Sequence, residues 1–309
     1  MKKDLTLNKN IIYTNFNPYW IAGFIDAEGC FRVNVYPNNE KILGVSISFT
    51  FHISQKETKI LETIKEFFNM GQIVWDSREK KIKKYHLTSL DNCLNLIKFL
   101  DLYSLQTSKA LDFEDFKKSL LFWSNKNNHT LEGVATLKDL IKNMNNNRNL
   151  TERYNYLNSK FNDKLNPHWI VGFIDGEGCF YCYIQKDTKS PIIQLSLEIS
   201  QSTHDWLILE KLRQELNCGR LKITTEMKNN LNDVSRLIIM NNSDLTDKII
   251  PFFEKYSLLS KKRLDYEDFK LLWQNKKEKK HLTDTGLNQM KLIKTNMNFG
   301  REPGKKVFG

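Results

Sequence analysis

Cysteine is scarce and scattered: Cys30, Cys93, Cys179, Cys182 and Cys218 form an odd-numbered set that gives no disulfide framework. Cys179 and Cys182 make a C-x-x-C, but in a strand-like run i and i+3 point to opposite faces. No second Cys/His pair lies nearby to complete a zinc site, so all five read as packing or surface residues. No window reaches the roughly 18 uninterrupted apolar residues of a membrane-spanning helix. The opening MKKDLTLNKN lacks the apolar stretch of a secretory signal, so neither a membrane protein nor a secreted one is expected. Proline and arginine are few, while Lys, Asn and Ile abound. That bias fits an A+T-rich coding genome, an organelle being one source. Acid is the deficient charge: 36 Asp and Glu face 47 Lys and Arg, a net charge of +11. The excess favours a polyanionic partner, nucleic acid before membrane surface.

What the chain does have is an internal repeat. N-P-Y-W-I-A-G-F-I-D-A-E-G-C-F at Asn17–Phe31 returns as N-P-H-W-I-V-G-F-I-D-G-E-G-C-F at Asn166–Phe180. H-I-S-Q (His52–Gln55) matches E-I-S-Q (Glu198–Gln201), and G-Q-I (Gly71–Ile73) matches G-R-L (Gly219–Leu221). Y-S-L-Q-T-S-K-A-L-D-F-E-D-F (Tyr103–Phe116) matches Y-S-L-L-S-K-K-R-L-D-Y-E-D-F (Tyr256–Phe269). The tails agree as well, L-I-K-N-M-N (Leu140–Asn145) against L-I-K-T-N-M-N (Leu292–Asn298). Two long copies in register describe a duplicated domain rather than a solenoid. The expected division is 1–147, a linker over 148–165 in the Asn-rich, charged stretch, and 166–309.

Each copy reads as helix, two strands, helix, two strands, then helices. Asn17 and Asn166 are N-cap residues, Pro18 and Pro167 fit the first helical position, and Gly29 and Gly178 are expected to cap the other end. Val45, Ile47, Phe49, Phe51 and Ile53 alternate with Ser46, Ser48, Thr50 and His52; Cys30, Arg32, Asn34 and Tyr36 alternate with Phe31, Val33 and Val35. In the second copy Gln194, Ser196 and Glu198 alternate with Ile193, Leu195, Leu197 and Ile199. Such runs predict antiparallel sheets with one buried and one wet face. Helices over 60–68 and 111–123, with their counterparts, cover the buried face, so each domain is α+β. The wet face is either plain solvated surface or a groove-filling array of donors and acceptors, since a two-stranded ribbon fits the DNA major groove. The last strand, near 236–240, is too uniformly apolar to phase.

In the helices over 20–28 and 169–177, Gly23 and Ala27 share one face, as do Gly172 and Gly176. Two such faces can approach backbone to backbone, making these helices the domain interface. Glu28 and Glu177 would then converge near a pseudo-two-fold axis. A helix C-terminus disfavours a bare anion, so an acid there is easier to explain with a cation beside it. Two acids around hard divalent cations suit Mg²⁺ and in-line phosphodiester hydrolysis. In one copy Asp26 and Glu28 would read equally well as capping or surface acids; the repeated Asp-x-Glu-Gly ending argues otherwise.

I-A-G-F-I-D-A-E-G and I-V-G-F-I-D-G-E-G resemble the two signature motifs of the LAGLIDADG homing endonucleases, in particular the single-chain, two-motif kind encoded in fungal mitochondrial introns. The similarity covers nearly the whole chain and includes K-K-H-L-T-D-T-G-L at Lys279–Leu287, which resembles the start of that subfamily's C-terminal helix. The resemblance implies two αββαββα halves forming a saddle joined through the motif helices, with both sheets laid into successive major grooves. It places the metal-binding acids on Glu28 and Glu177, with the carbonyls of Ala27 and Gly176 as further ligands to two or three divalent ions, Mg²⁺ or a substitute. It implies that Gln55 and Gln201 hold the water network at the scissile phosphates. It likewise implies that Lys109 and Lys262, which match the basic residue before the long helix, approach those phosphates, with Lys261 leaving the second assignment ambiguous by one position.

DNA reading would fall to Arg32, Asn34, Tyr36, Ser46, Ser48, His52, Gln72, Lys84 and His86 in the first half. In the second it would fall to Tyr181, Tyr183, Gln185, Gln194, Ser196, Glu198, Arg220 and Lys222. Remaining lysines would neutralise phosphates and make affinity salt-dependent. The resulting expectation is a monomeric, mitochondrial, Mg²⁺-dependent enzyme. It would cut both strands of a long asymmetric DNA target, leave 3′ overhangs and initiate intron homing. A splicing maturase binding its host intron RNA, or a DNA binder that has lost cleavage, is the alternative.

Overall fold

A computed structural model describes residues 16–185, 191–223 and 233–298; the opening decapeptide lies outside them. The first half runs α1 (Pro18–Glu28), β1 (Gly29–Pro37), β2 (Val45–Gln55), α2 (Thr58–Phe68), β3 (Gln72–Ser77), β4 (Ile82–Leu87), α3 (Leu90–Leu102), α4 (Lys109–Ser124) and α5 (Leu131–Ile141). After α6 (Leu150–Ser159) the pattern returns. It comprises α7 (Pro167–Glu177), β5 (Gly178–Ile184), β6 (Ile193–Ser202), α8 (Trp206–Leu216), β7 (Arg220–Lys222) and β8 (Val234–Ile239). Then α9 (Asn242–Asp244) continues through a π-helical turn, Leu245–Ile249, into α10 (Ile250–Lys255), followed by α11 (Lys262–Lys277) and α12 (Asp284–Thr295). The π turn precedes Pro251, which has no N–H for an ordinary helical bond and clashes with the carbonyl four residues back.

Each half holds a four-stranded antiparallel sheet, ordered β1-β2-β4-β3 and β5-β6-β8-β7. The alternation read from the sequence sets the faces: Phe49, Phe51 and Ile53 point inward with Phe31, Tyr85 and Leu87. Ile60, Leu61, Ile64 and Phe67 of α2 seal that face, and Ile208, Leu209, Leu212 and Leu216 of α8 seal the other. Both helices end on a left-handed Asn, Asn69 and Asn217. β8 does have a phase. Ser235 is fully buried, its hydroxyl 3.1 Å from that of Thr203, so Leu237 and Ile239 point inward while Arg236 faces out. The outward position Ile238 is itself apolar, so the run Leu237–Met240 had hidden the alternation. No helix among the described residues is long and apolar enough to cross a membrane.

Two further departures concern the ends of elements. Gly29 and Gly178 follow α1 and α7 as expected, but in extended conformation, opening β1 and β5 rather than turning left-handed. The stretch expected as a linker carries α6 and is tied down by two arginines. Arg153 donates to the Ser108 hydroxyl at 2.6 Å. Arg148, whose side chain is 2% exposed, pairs with Asp112, Asp115 and Glu152. Removing that guanidinium leaves three carboxylates without their countercharge, Asp112 keeping only the Asn145 N–H among the described residues. Arg148→Met is therefore expected to cost about 3–5 kcal/mol, measured as the shift in urea midpoint at constant slope.

Candidate active site and nucleic-acid interface

The side-chain oxygens of Asn17 and Asn166 accept the N–H groups of Tyr19 and His168 at 3.0 and 2.9 Å, starting the two motif helices. These helices then pack at backbone contact. A Cβ on Gly23 would overlap the Trp169 carbonyl, one on Gly172 the Trp20 carbonyl, and one on Gly176 the Ala27 methyl. The structure thus brings Gly23, Ala27, Gly172 and Gly176 together between the halves.

Reciprocal hydrogen bonds fix the crossing. Trp20 Nε1 donates to Asp175 Oδ2 and Trp169 Nε1 to Asp26 Oδ2, both at 2.8 Å. Asp26 also accepts the backbone N–H groups of Gln106 and Thr107 and the Thr107 hydroxyl; Asp175 accepts those of Leu259 and Ser260 and the Ser260 hydroxyl. Burial pushes both carboxyl groups up, and these donors oppose it. The motif aspartates, which read equally well as capping acids, are internal fasteners joining each motif helix to the loop before its own long helix and to the other half. The recurring tails have a similar use. Asn145 and Asn298 donate their backbone N–H groups to Asp112 and Asp265 at 2.9 Å, and their amides to the carbonyls of Phe31 and Phe180.

Glu28 and Glu177, half-buried, end the paired helices. Glu28 Oε1 lies 3.5 Å from where a Cβ on Gly176 would stand. Gln201 Nε2 donates to Glu177 Oε1 at 3.3 Å. Lys109 and Lys262 open α4 and α11 and turn back to the motif helices. Lys109 Nζ donates to the carbonyls of Ile25 and Ala27 at 3.1 and 3.2 Å, and Lys262 Nζ to those of Ile174 and Gly176 at 2.9 and 3.0 Å. Of the two adjacent lysines it is Lys262 that points into the site. Two clefts result, and their lining is crossed. One of about 620 Å³ gathers Glu28 and Gln55 of the first half with Lys262 of the second. The other, about 180 Å³, gathers Glu177 and Gln201 of the second half with Lys109 of the first.

The donor set suits a hard cation. Two carboxylates and the carbonyls of Ala27 and Gly176 are all oxygen donors; the lysine bonds leave each carbonyl a second lone pair. Burial and then the neighbouring Glu28 push the Glu177 carboxyl up to about 7, against the pull of Lys109 and Lys262. A carboxyl raised this way favours the folded state below its unfolded value near 4.5, and that contribution is lost as pH rises through about 7. In EDTA, Glu177→Gln is therefore expected to stabilise the protein at pH 8 by about 1–2 kcal/mol and to change it little at pH 4.5. Thermal melts at the two pH values check this, and a divalent ion should narrow the gap at pH 8.

On the outer faces, Arg32, Tyr36 and Gln72 of the first half and Tyr181, Tyr183, Arg220 and Lys222 of the second are exposed. Asn34 donates to Ser48 at 3.2 Å, and Ser46 accepts from Asn38 at 2.8 Å. His52 and His86 face each other across β2 and β4. Burial, then Arg32 and Lys84, lower the His52 imidazole to about 4, so it meets a ligand neutral. Lys84 is bridged to Asp76 at 3.3 Å. Gln194 and Arg220 both lie against the Met240 sulfur, Gln185 donates its N–H to the Ile192 carbonyl, and Glu198 is half-buried.

Ser196 departs from expectation. It is 4% exposed and its hydroxyl donates to Glu198 at 3.3 Å, so it supports a neighbour instead of presenting itself. Arg236, unread in the sequence, stands on the outer face in register between Ser200 and Lys222.

Known proteins are similar to this chain in sequence and fold. The model of the LAGLIDADG endonuclease family matches residues 21–120 and 170–272. Probable intron-encoded endonuclease 3 of Neurospora crassa is 28% identical over 311 residues, covering 94% of this chain and 56% of that relative. The chain thus spans little more than half of the relative's length. Among solved structures, meganuclease I-SmaMI bound to uncleavable DNA matches with a TM-score of 0.83 at 28% identity, covering 94% of this chain and 99% of the other. The I-LtrWI LAGLIDADG homing endonuclease bound to target DNA matches at 0.82 and 29%, covering 92% and 98%. I-SmaMI has also been solved on uncleaved DNA in the presence of calcium ions.

Proposed function

Because the chain belongs to the LAGLIDADG endonuclease family, we propose that it is a site-specific, divalent-metal-dependent DNA endonuclease. It cuts both strands of a long asymmetric duplex, leaves 3′ overhangs and initiates the mobility of its own mitochondrial intron. The observation that carries this reading is the convergence of Glu28 and Glu177 at the ends of two helices in backbone contact, each in a cleft with a lysine from the opposite half. The names of the relatives favour cleavage over the splicing alternative, and the fungal endonuclease among them supports an organellar intron as the source.

Glu28 and Glu177, with the carbonyls of Ala27 and Gly176, would hold Mg²⁺ or a similar ion. When bound, such an ion supplies Lewis-acid stabilisation of the phosphoryl oxygens and a more acidic water. Gln55 and Gln201 orient water beside the acids. Lys109 and Lys262 keep positive charge at the helix ends, where the dipole would otherwise repel both carboxylates and phosphates, and can offset charge that develops at the phosphorus. Arg32, Tyr36, Gln72, Tyr181, Tyr183, Arg220, Lys222 and Arg236 read bases or phosphates from the two outer faces. One chain holding two unlike halves acts as a monomer on an unsymmetrical site, with 1–147 and 166–309 as the halves and 148–165 between them.

The test is a cleavage selection from a DNA pool that contains the host gene without its intron. One recurrent site with 3′ overhangs, cut by the wild type in Mg²⁺, is the expected result. Folded wild-type protein that yields no recurrent site would overturn the reading.

A further inference from the structure

Each long helix starts on a hydroxyl of its own half, Thr107 Oγ1 accepting the Lys109 N–H at 3.2 Å and Ser260 Oγ the Lys262 N–H at 3.1 Å. Ser108 and Lys261, the residues that precede α4 and α11, make no side-chain bond to their own helices. An acid from the opposite half stands at each. Glu57, which precedes α2, accepts the Lys261 backbone N–H through Oε2 at 2.8 Å. Asp205, which precedes α8 and is 6% exposed, lines the cleft with Thr107 and Lys109 and leaves its Oδ1 without a hydrogen-bond partner among the described residues. Neither acid caps the helix it begins. Both lie at the same place in the two copies, just past the strand end that carries Gln55 or Gln201, although the second copy inserts a short helical turn, Thr203–Asp205, ahead of α8.

A carboxylate at a helix N-terminus complements its dipole, and these two do so across the interface. Glu57 holds the residue before Lys262, whose ammonium group reaches Gly176, and Asp205 lies buried in the same cleft as Lys109, whose ammonium group reaches Ala27. The lining of the clefts follows the same division. Glu57 shares one with Glu28, Gln55 and Lys262, and Asp205 shares the other with Glu177, Gln201 and Lys109.

We propose that Glu57 and Asp205 are positioning residues, each setting the opposite half's lysine beside the acid of its own cleft, and that each serves the cut on one DNA strand. The proposal rests on the endonuclease reading above. The paired-helix interface then does more than hold the halves side by side, because each half completes the other's site.

Single-turnover cleavage of the duplex recovered by the selection, with each strand end-labelled in turn, separates the outcomes. Glu57→Ala is expected to slow one strand by about tenfold or more and Asp205→Ala to slow the other, nicked product accumulating in both. Glu57→Gln keeps the oxygen that accepts the Lys261 N–H and should return its slow strand to within about threefold of wild type. If an alanine variant does not fold, Glu57→Asp and Asp205→Glu, which move the carboxylate by one methylene, should carry the same strand bias. A general loss of stability would slow both strands together. Equal slowing of both strands, slowing of the same strand by both positions, or no slowing overturns the proposal while the endonuclease reading stands. Wild-type protein that leaves every duplex intact overturns both.

Discussion

Glu28→Gln and Glu177→Gln are each expected to abolish formation of linear product from a plasmid carrying the target, while the protein–DNA complex survives. The carboxylates end helices whose C-terminal dipoles repel anions, and burial together with like charge already holds Glu177 at about 7. Neither effect helps the fold, and the proposed cation supplies the countercharge that this placement lacks. Losing one removes several kcal/mol of transition-state stabilisation, about 10³-fold in rate. The proposed binding surface is the two sheet faces, which these substitutions leave in place. Gel shift in Ca²⁺ beside plasmid linearisation in Mg²⁺ checks both halves of the expectation. A variant that still linearises plasmid at more than a tenth of the wild-type rate would remove that acid from the reaction.

The second large effect is mechanical. Gly172→Ala and Gly23→Ala each place a methyl group on a backbone carbonyl of the facing helix, Trp20 or Trp169. A carbonyl within a helix cannot turn aside as a side chain would. The helices must separate, stretching the 2.8 Å bonds from Trp20 and Trp169 to Asp175 and Asp26. The expected cost is about 3 kcal/mol or more, at the upper end for overpacking a tight contact, and cleavage should fall with it because the acids ride on the ends of those helices. Thermal unfolding of each variant measures the first effect and plasmid linearisation the second. A variant that melts with the wild type would mean that the contact is slack.

Much of this was legible in the chain because it is written twice. The alternation in Val45–Gln55 and Ile193–Ser202 set the buried and wet faces, and the small residues Gly23, Ala27, Gly172 and Gly176 pointed to a close helix pair. The acids followed from their place at the ends of those helices. What stayed hidden depends on partners far away in sequence. Asp26 and Asp175 look like turn acids until the indole N–H groups of Trp169 and Trp20 arrive from 143 and 155 residues away. Nothing local says that Asn145 and Asn298 close over Asp112 and Asp265, or that Glu57 reaches Lys261. Ser196 shows the converse limit: its alternation is right, but Glu198 on the same strand takes its hydroxyl. Arg236 was lost because Ile238 on the same outer face is apolar, leaving a uniform run that shows no phase.

The most direct measurement is single-turnover cleavage of the selected duplex, both strands labelled, by wild-type protein stripped with EDTA and then titrated with Mg²⁺. The expected result is an intact, bound duplex without divalent ion and scission of both strands, with 3′ overhangs, as Mg²⁺ is added. Cleavage that persists in EDTA, or a tight Mg²⁺-containing complex in which both strands stay whole, would contradict a reaction built on Glu28, Glu177 and a shared cation.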